Sequence, residues 1–362
     1  MMKRDNLFRV SAQICAAVVL TNRLMLAVFV SIVVAGQTVS FAQLDYGLYY
    51  GDRDLGRGAM YVDPNNWTLL AQFTQGFPGG GPGGAMCYGL AFSPDRRTLW
   101  VGSHLDGVIH EYDAATGRQI SSVQSPVPSP RKMATAPFGT NQYYLYVASY
   151  AGLYAYGPLP SASPSWTQVA TIRGDAVRYS REGNAHFLYA TSSADRRVIK
   201  LAVSGTNVTQ VWASSDLGSA PLDVDIAPAV NEVLVAFYGG TIKRLRASDG
   251  AVLSPDFIGS PLGGIEYVGI AVAPIPGRTL VYILGYWPYF YTYERQADGS
   301  GAPAAWPMQP VYLTGLKSGY AIVIGPRWNP TTVRCPEDVT GDGVVDDADL
   351  LRVLFAFGTS CQ

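Results

Sequence analysis

Charge and the common catalytic signatures are scarce in this chain. Only 15% of its residues are charged, and only three are histidines, His104, His110 and His186. No H-E-x-x-H, G-x-S-x-G or nucleotide-binding P-loop occurs, so the usual sequence signals of a zinc protease, a serine hydrolase and a nucleotide enzyme are missing. The 26 Lys and Arg nearly balance 27 Asp and Glu and form no basic stripe, which excludes the electrostatic footprint of a nucleic-acid partner. Cysteines number four. Cys87 stands alone at the start of an apolar segment and reads as a buried free thiol, and His110 reads as a strand residue. Long apolar runs are absent except near the N-terminus, so nothing downstream is predicted to cross a bilayer as a helix.

Apolar residues are plentiful, at 48%, together with 39 Gly, 24 Pro and 23 Tyr. That composition predicts a globular chain of many short strands and tight turns. Residues 1–42 read as a signal peptide. Lys3, Arg4, Arg9 and Arg23 form a basic lead, LMLAVFVSIVVAG follows from Leu24 to Gly36, and Ser40-Phe41-Ala42 offers small residues at the two positions that a signal peptidase reads. Cleavage is expected after Ala42. Membrane contact is expected only if this segment stays uncleaved as an anchor.

The remainder repeats with a step of about 45 residues. Repeats begin at Tyr88, Lys132, Asp175, Asp223 and Val268, and each holds an alternating apolar strand, a break, a second apolar strand, a short turn and a third strand. The breaks fall at Pro94, Pro137, Arg181, Pro228 and Pro274. This pattern predicts an all-β fold, a β-propeller spanning 43–326. A sixth unit is split: GYAIVIGP (Gly319 to Pro326) supplies an innermost strand, and the segments between Leu44 and Phe73 supply its partners. Pairing the two ends would remove open sheet edges, so six blades are expected, with seven as the alternative count. The fragment SPDRRTLWVGSHLDGVIHEYDAATGR (Ser93 to Arg118) resembles a blade of the WD40 and YVTN-type propellers, with its Ser-Pro-Asp turn and its closing Asp-x-x-Thr-Gly turn. The glycine-rich stretch from Gly76 to Ala85 reads as a connection between blades.

In a propeller the turns between second and third strands share one face with the connections between blades. That rule gathers His104, Asp106, Tyr150, Asp195, Arg196, Tyr238, Trp287, Tyr289, Asp52 and Arg53 on one surface, with Lys132, Asp175, Asp223 and Glu266 near the channel mouth. Among these, His104, Lys132, Tyr150, Asp175, Asp223, Glu266, Trp287 and Tyr289 are the candidate ligand-binding residues. Aromatic residues there, Trp287 and Tyr289 among them, would either fill the spaces between blades or stack on sugar rings. Asp175, Asp223 and Glu266 are the carboxylates from which a glycosidase pair would be drawn.

Residues 335–362 differ in kind, with six acids against Arg352. In DVTGDGVVDDAD, Asp338, Thr340, Asp342, the Val344 carbonyl, Asp346 and Asp349 occupy positions 1, 3, 5, 7, 9 and 12 of a twelve-residue loop, with Gly343 at position 6. This is the ligand spacing of an EF-hand loop and predicts bound calcium. The helix expected from Asp347 to Phe357 is too short and too apolar to stand alone in water. Cys335 and Cys361 bracket the module and are expected to form a disulfide in an exported chain. DVTGDGVVDDADLLRVLFAFG resembles one repeat of a type I dockerin, and the resemblance implies docking through that helix, to a cohesin-like partner or to a second copy. Dockerins usually carry two repeats, whereas one is present here behind a linker at 327–334.

The resulting expectation is a secreted or cell-surface binding protein, a propeller that contacts a glycan or protein and carries a calcium-organised docking module. The alternative is a secreted polysaccharide-active hydrolase or lyase with its site at the channel mouth. A carboxylate pair free for chemistry at that mouth would favour the enzyme; a crowded mouth without one would favour the binder.

Overall fold

The computed structural model describes residues 46–52, 58–65, 67–73, 86–238, 240–259, 267–273, 275–285, 289–304, 311–312 and 319–328. Within them the chain forms six antiparallel sheets, each a blade, and a single short 3-10 turn at Pro228–Val230. The innermost strands of blades 1 to 5 are Cys87–Phe92, Met133–Phe138, Val177–Glu182, Pro221–Ala227 and Tyr267–Val272. Each ends within two residues of the break expected from the repeat. Strands alternate in direction across each sheet, and in blade 5 Gly301–Pro303 and Val311–Tyr312 share the outer edge of Tyr289–Arg295, so the innermost strands start at the same end of the central channel.

Blade 6 is built from both ends of the domain, as the split repeat predicts. Its innermost strand, Gly319–Pro326, pairs with Tyr46–Asp52, which continues into Ala59–Asp63 and Thr68–Phe73. The register runs from Tyr46 opposite Pro326 to Gly51 opposite Ala321, with a shift before Asp52 and Gly319. Side-chain packing reinforces this ladder. Tyr49 meets Phe92 of blade 1 edge-on at 4.7 Å between centroids and Tyr61 at 5.0 Å, and Phe73 meets Trp328 at 5.4 Å. Each such pair contributes about 0.5–1.5 kcal/mol beyond its buried area. The rings approach so closely that position 325 must lack a side chain: a Cβ on Gly325 would lie 2.2 Å from Phe92 and 2.7 Å from Tyr49.

The turns quoted from the first repeat act as local hydrogen-bond devices. The Ser93 hydroxyl donates to Asp95 at 2.6 Å and accepts from the Thr98 N–H at 3.0 Å. Asp113 accepts from the N–H groups of Ala115 and Thr116 and from the Thr116 hydroxyl, and Gly117 closes the turn at φ +71°. In blades 1 to 4 a fourth, outermost strand, beyond the three that each repeat reveals, completes the sheet. Gln119–Gln124 is typical of these strands, being mostly exposed and carrying no alternating apolar pattern. Cys87 is buried as a free thiol, and His110 lies buried within the strand Val108–Asp113.

Residues 1–42, the Gly76 to Ala85 connection, the 338–349 loop with its helix, Cys335 and Cys361 lie outside the described residues. Gly325→Leu is expected to destabilise the fold by about 1–3 kcal/mol through overpacking of the seam. A urea denaturation midpoint equal to that of the parent protein would contradict the tight closure described here.

Candidate functional site

At the strand-start end of the channel the predicted residues converge with several that were not predicted. Tyr88, the second residue of the blade 1 inner strand, stacks on His104 at 4.1 Å and on Tyr320 at 4.0 Å, with interplanar angles of 23° and 24°. The Arg131 guanidinium lies 5.1 Å from the Tyr88 ring centroid and 4.2 Å from that of Tyr150. Tyr150 itself is 52% exposed, on the turn between strands two and three of blade 2. The result is an aromatic platform clamped by a cation.

Asp175 fixes that platform from below. Its Oδ1 pairs with Arg131 Nη1 at 2.7 Å and accepts from the Tyr150 hydroxyl at 3.1 Å, while Oδ2 accepts from Ser193 at 2.8 Å. Burial, then the charge of Asp175, pushes the Tyr150 hydroxyl above the usual phenol range. Deeper in the channel Asp223 is fully buried. Its Oδ2 takes Lys132 Nζ at 2.7 Å, the Ile270 N–H at 2.9 Å and Arg178 Nη2 at 3.4 Å, and its Oδ1 takes the Val224 N–H. Arg178 Nη2 continues to the Ile322 carbonyl at 2.9 Å and the Ile270 carbonyl at 3.4 Å. Lys132, Asp223 and Arg178 therefore plug the channel and tie the inner strands of blades 2 to 6 together. Desolvation lowers the Lys132 ammonium to about 8, against the opposing pull of Asp223.

Of the candidate ligand-binding residues, His104, Tyr150 and Asp175 meet at the mouth. Lys132 and Asp223 lie beneath it, out of reach of solvent. An acid at the start of a strand reads as a surface group in sequence; here its carboxylate is drawn inward by a buried lysine and an unpaired backbone N–H. Tyr238 is a separate exposed turn residue at 63%. Asp106 accepts from the Val108 N–H and Asp195 from the Ser192 hydroxyl, both within turns, and Arg196 pairs with Asp216 of the connection that leads to blade 4. Glu266, Trp287 and Arg53, and the side chains of Tyr289 and Asp52, lie outside the described residues.

Tyr88, Arg131, Tyr320 and Arg178 had no sequence assignment. One signal was present: Tyr88 and Tyr320 hold the same repeat position, six residues before Pro94 and Pro326. The cavity bounded by Tyr88, Arg131, Lys132, Asp175, Leu222 and Tyr320 measures about 30 Å³, room for little more than water. Both described candidate acids are held by cations in this crowded setting, an arrangement suited to fixing a surface and poorly suited to passing protons to a substrate.

No protein-family model matches the chain, and no curated protein matches it. Among solved structures the chain is similar to one from a nidogen/laminin complex, with a TM-score of 0.56 and 11% identity, covering 78% of this chain and 100% of that one. It is also similar to a protein of unknown function from Bacteroides caccae, at TM-score 0.52 and 10% identity, with coverage of 78% and 100%. A third likeness is to the β-propeller domain of Cps50 (Swd1) from Myceliophteria thermophila, at TM-score 0.51 and 11% identity, covering 79% of this chain and 87% of that one. At these identities the likeness concerns the fold alone.

Two outcomes follow for the plug. Asp223→Ala leaves two buried cations without their counter-charge and is expected to cost about 3–5 kcal/mol in chemical denaturation. Because the folded protein holds the Lys132 proton less tightly than the unfolded chain does, stability should rise with pH from about 8 towards 10, by roughly 2 kcal/mol, before tyrosine ionisation in the unfolded chain reverses the trend. Lys132→Met should abolish that slope. A flat profile in the parent protein between these pH values would contradict the burial of a titrating lysine.

Proposed function

We propose that this is an exported, non-catalytic binding protein: a six-bladed propeller presenting Tyr150, held by Arg131 beside the buried Tyr88 stack, to a glycan or protein, joined to a calcium-organised, dockerin-like tail. The observation that carries the reading is the fate of the mouth carboxylates. Asp175 is committed to Arg131, Tyr150 and Ser193, and Asp223 to Lys132 and Arg178. The mouth thus offers the exposed Tyr150 ring against a clamped guanidinium, without a carboxylate uncommitted among the described residues.

The tail reading rests on the spacing of Asp338, Thr340, Asp342, Val344, Asp346 and Asp349 around Gly343. Calcium would draw these oxygens into one shell and order the apolar helix beyond it, so that the helix can be offered to a cohesin-like surface or to a second copy. Export rests on the leader at 1–42, and the disulfide between Cys335 and Cys361 belongs to the same proposal.

A glycan array and a binding screen with the full chain test the propeller half. Tyr150→Ala is expected to weaken whatever the parent binds by about threefold to tenfold, the worth of one stacking ring. Ligand binding that is indifferent to this change would move the site elsewhere. Calorimetry tests the tail: calcium heats should vanish in Asp338→Ala, and identical heats in the two proteins would remove the metal site.

A further inference from the structure

Beyond the ion plug, at the end of the channel where the inner strands finish, lies a second space. Its volume is about 590 Å³, and residues of the inner strands of all six blades line it. That size falls within the range of small-molecule pockets. The walls are largely apolar, with Leu90, Phe92, Ile226, Val272, Ile322 and Ile324. Its polar lining includes Arg178, Ser180 and Asp225, beside Ser93, Thr135 and Tyr179.

Two of these groups, Arg178 and Ser180, have hydrogen-bonding capacity to spare. Arg178 is 7% exposed; its Nη2 serves Asp223, Ile270 and Ile322, but its Nε and Nη1 make no hydrogen bond among the described residues. The Ser180 hydroxyl, 8% exposed, makes none either. Asp225 is occupied on both oxygens, by the Ile226 N–H at 2.9 Å and the Val272 N–H at 2.7 Å. Arg96 and Arg181 also line the space, and both are exposed. Unused donors inside, two further arginines along the walls and one aspartate call for an acceptor-rich, negatively charged head. Apolar walls call for a greasy body.

We propose that this cavity binds a small organic acid, with the carboxylate on Arg178 and Ser180 and the hydrocarbon against Leu90, Phe92, Ile226 and Ile324. The site is separate from the aromatic mouth and does not depend on its reading. Asp225 sets the condition under which such an acid enters. Burial pushes its carboxyl up to about 6, with Arg178 opposing and Asp223 adding to the rise. Arg178 and Asp223 are the charged groups that face it, with Arg96 and Arg181 along the cavity wall. As Asp225 takes up a proton the like charge disappears, so a carboxylate is held more tightly at pH 5.5 than at pH 7.5.

Calorimetry and ligand-observed NMR on the full chain, with acetate, hexanoate, benzoate and hexanol as probes, test the proposal. Hexanoate should bind about tenfold or more tighter than acetate, from its additional buried methylenes, and clearly tighter than hexanol, which lacks the charge. Asp225→Asn should tighten hexanoate binding and flatten its pH dependence. Arg178→Met should lose about tenfold or more in affinity. Because Arg178 also belongs to the plug, Ile324→Trp serves as the second variant: it sets an indole into the proposed seat of the hydrocarbon without touching an ion pair and should weaken hexanoate binding about tenfold or more, while the circular dichroism and melting temperature remain those of a folded protein. Hexanol binding as well as hexanoate, hexanoate binding undiminished in Ile324→Trp, or no carboxylate binding at millimolar concentration would each overturn the assignment.

Discussion

A propeller must answer for the free edges of its innermost strands, whose backbone groups face a channel instead of another strand. Here side chains from other blades answer for many of them. Asp223 and Asp225 of blade 4 accept the Ile270 and Val272 N–H groups of blade 5, Arg178 of blade 3 donates to carbonyls of blades 5 and 6, and Thr135 of blade 2 donates to the Phe92 carbonyl of blade 1. Ionisable residues are thus drawn into the axis for a backbone reason, and the charge they bring has to be neutralised there. Lys132, Arg178 and Asp223 neutralise one another, and the channel becomes two dead ends with different chemistry: aromatic and crowded at the strand starts, roomier and mostly apolar at the strand ends.

Much of the fold could be read from the sequence because it is written at short range. Alternating apolar residues followed by a proline mark the inner strand of most blades, and the orphan strand GYAIVIGP, which lacks a following partner, implies that its sheet is completed from the other end of the domain. Strands such as Gln119–Gln124 were not readable, since an outermost strand is half solvated and its residues carry no period. The site was legible only in part. Turn position alone brings His104 and Tyr150 to one face. The inward turn of Asp223 and Lys132 depends on which blades stand across the axis, and the Tyr88 stack depends on Tyr320 arriving from more than two hundred residues later, which no local pattern encodes.

The interfaces between blades repeat the theme with different residues. Glu232 of blade 4 is buried between Arg244 of its own blade, at 2.6 Å, and Arg295 of blade 5, at 2.7 Å. Between blades 3 and 4, Lys200 reaches Glu182 and the Ala247 carbonyl, which also receives the Trp212 indole N–H. Buried pairs of this kind contribute little net stability compared with apolar residues of the same shape, but breaking one is costly, so they discriminate between correct and shifted docking of neighbouring blades. Blades 6 and 1 instead meet through tyrosine, phenylalanine and tryptophan. The ring is therefore charged and hydrogen-bonded on one side, and sealed by aromatic packing where the ends of the domain meet.

The geometry of that seam has a mechanical side. Tyr46 and Pro326 stand opposite each other, so tension applied to the chain at both points would separate the two strands one pair at a time, as a zip opens, and would not shear the whole ladder at once. Held from only one of those points, the ring feels no such opening force. A propeller stitched in this way is robust as a domain hung from a single tether, and weak as a link pulled between two.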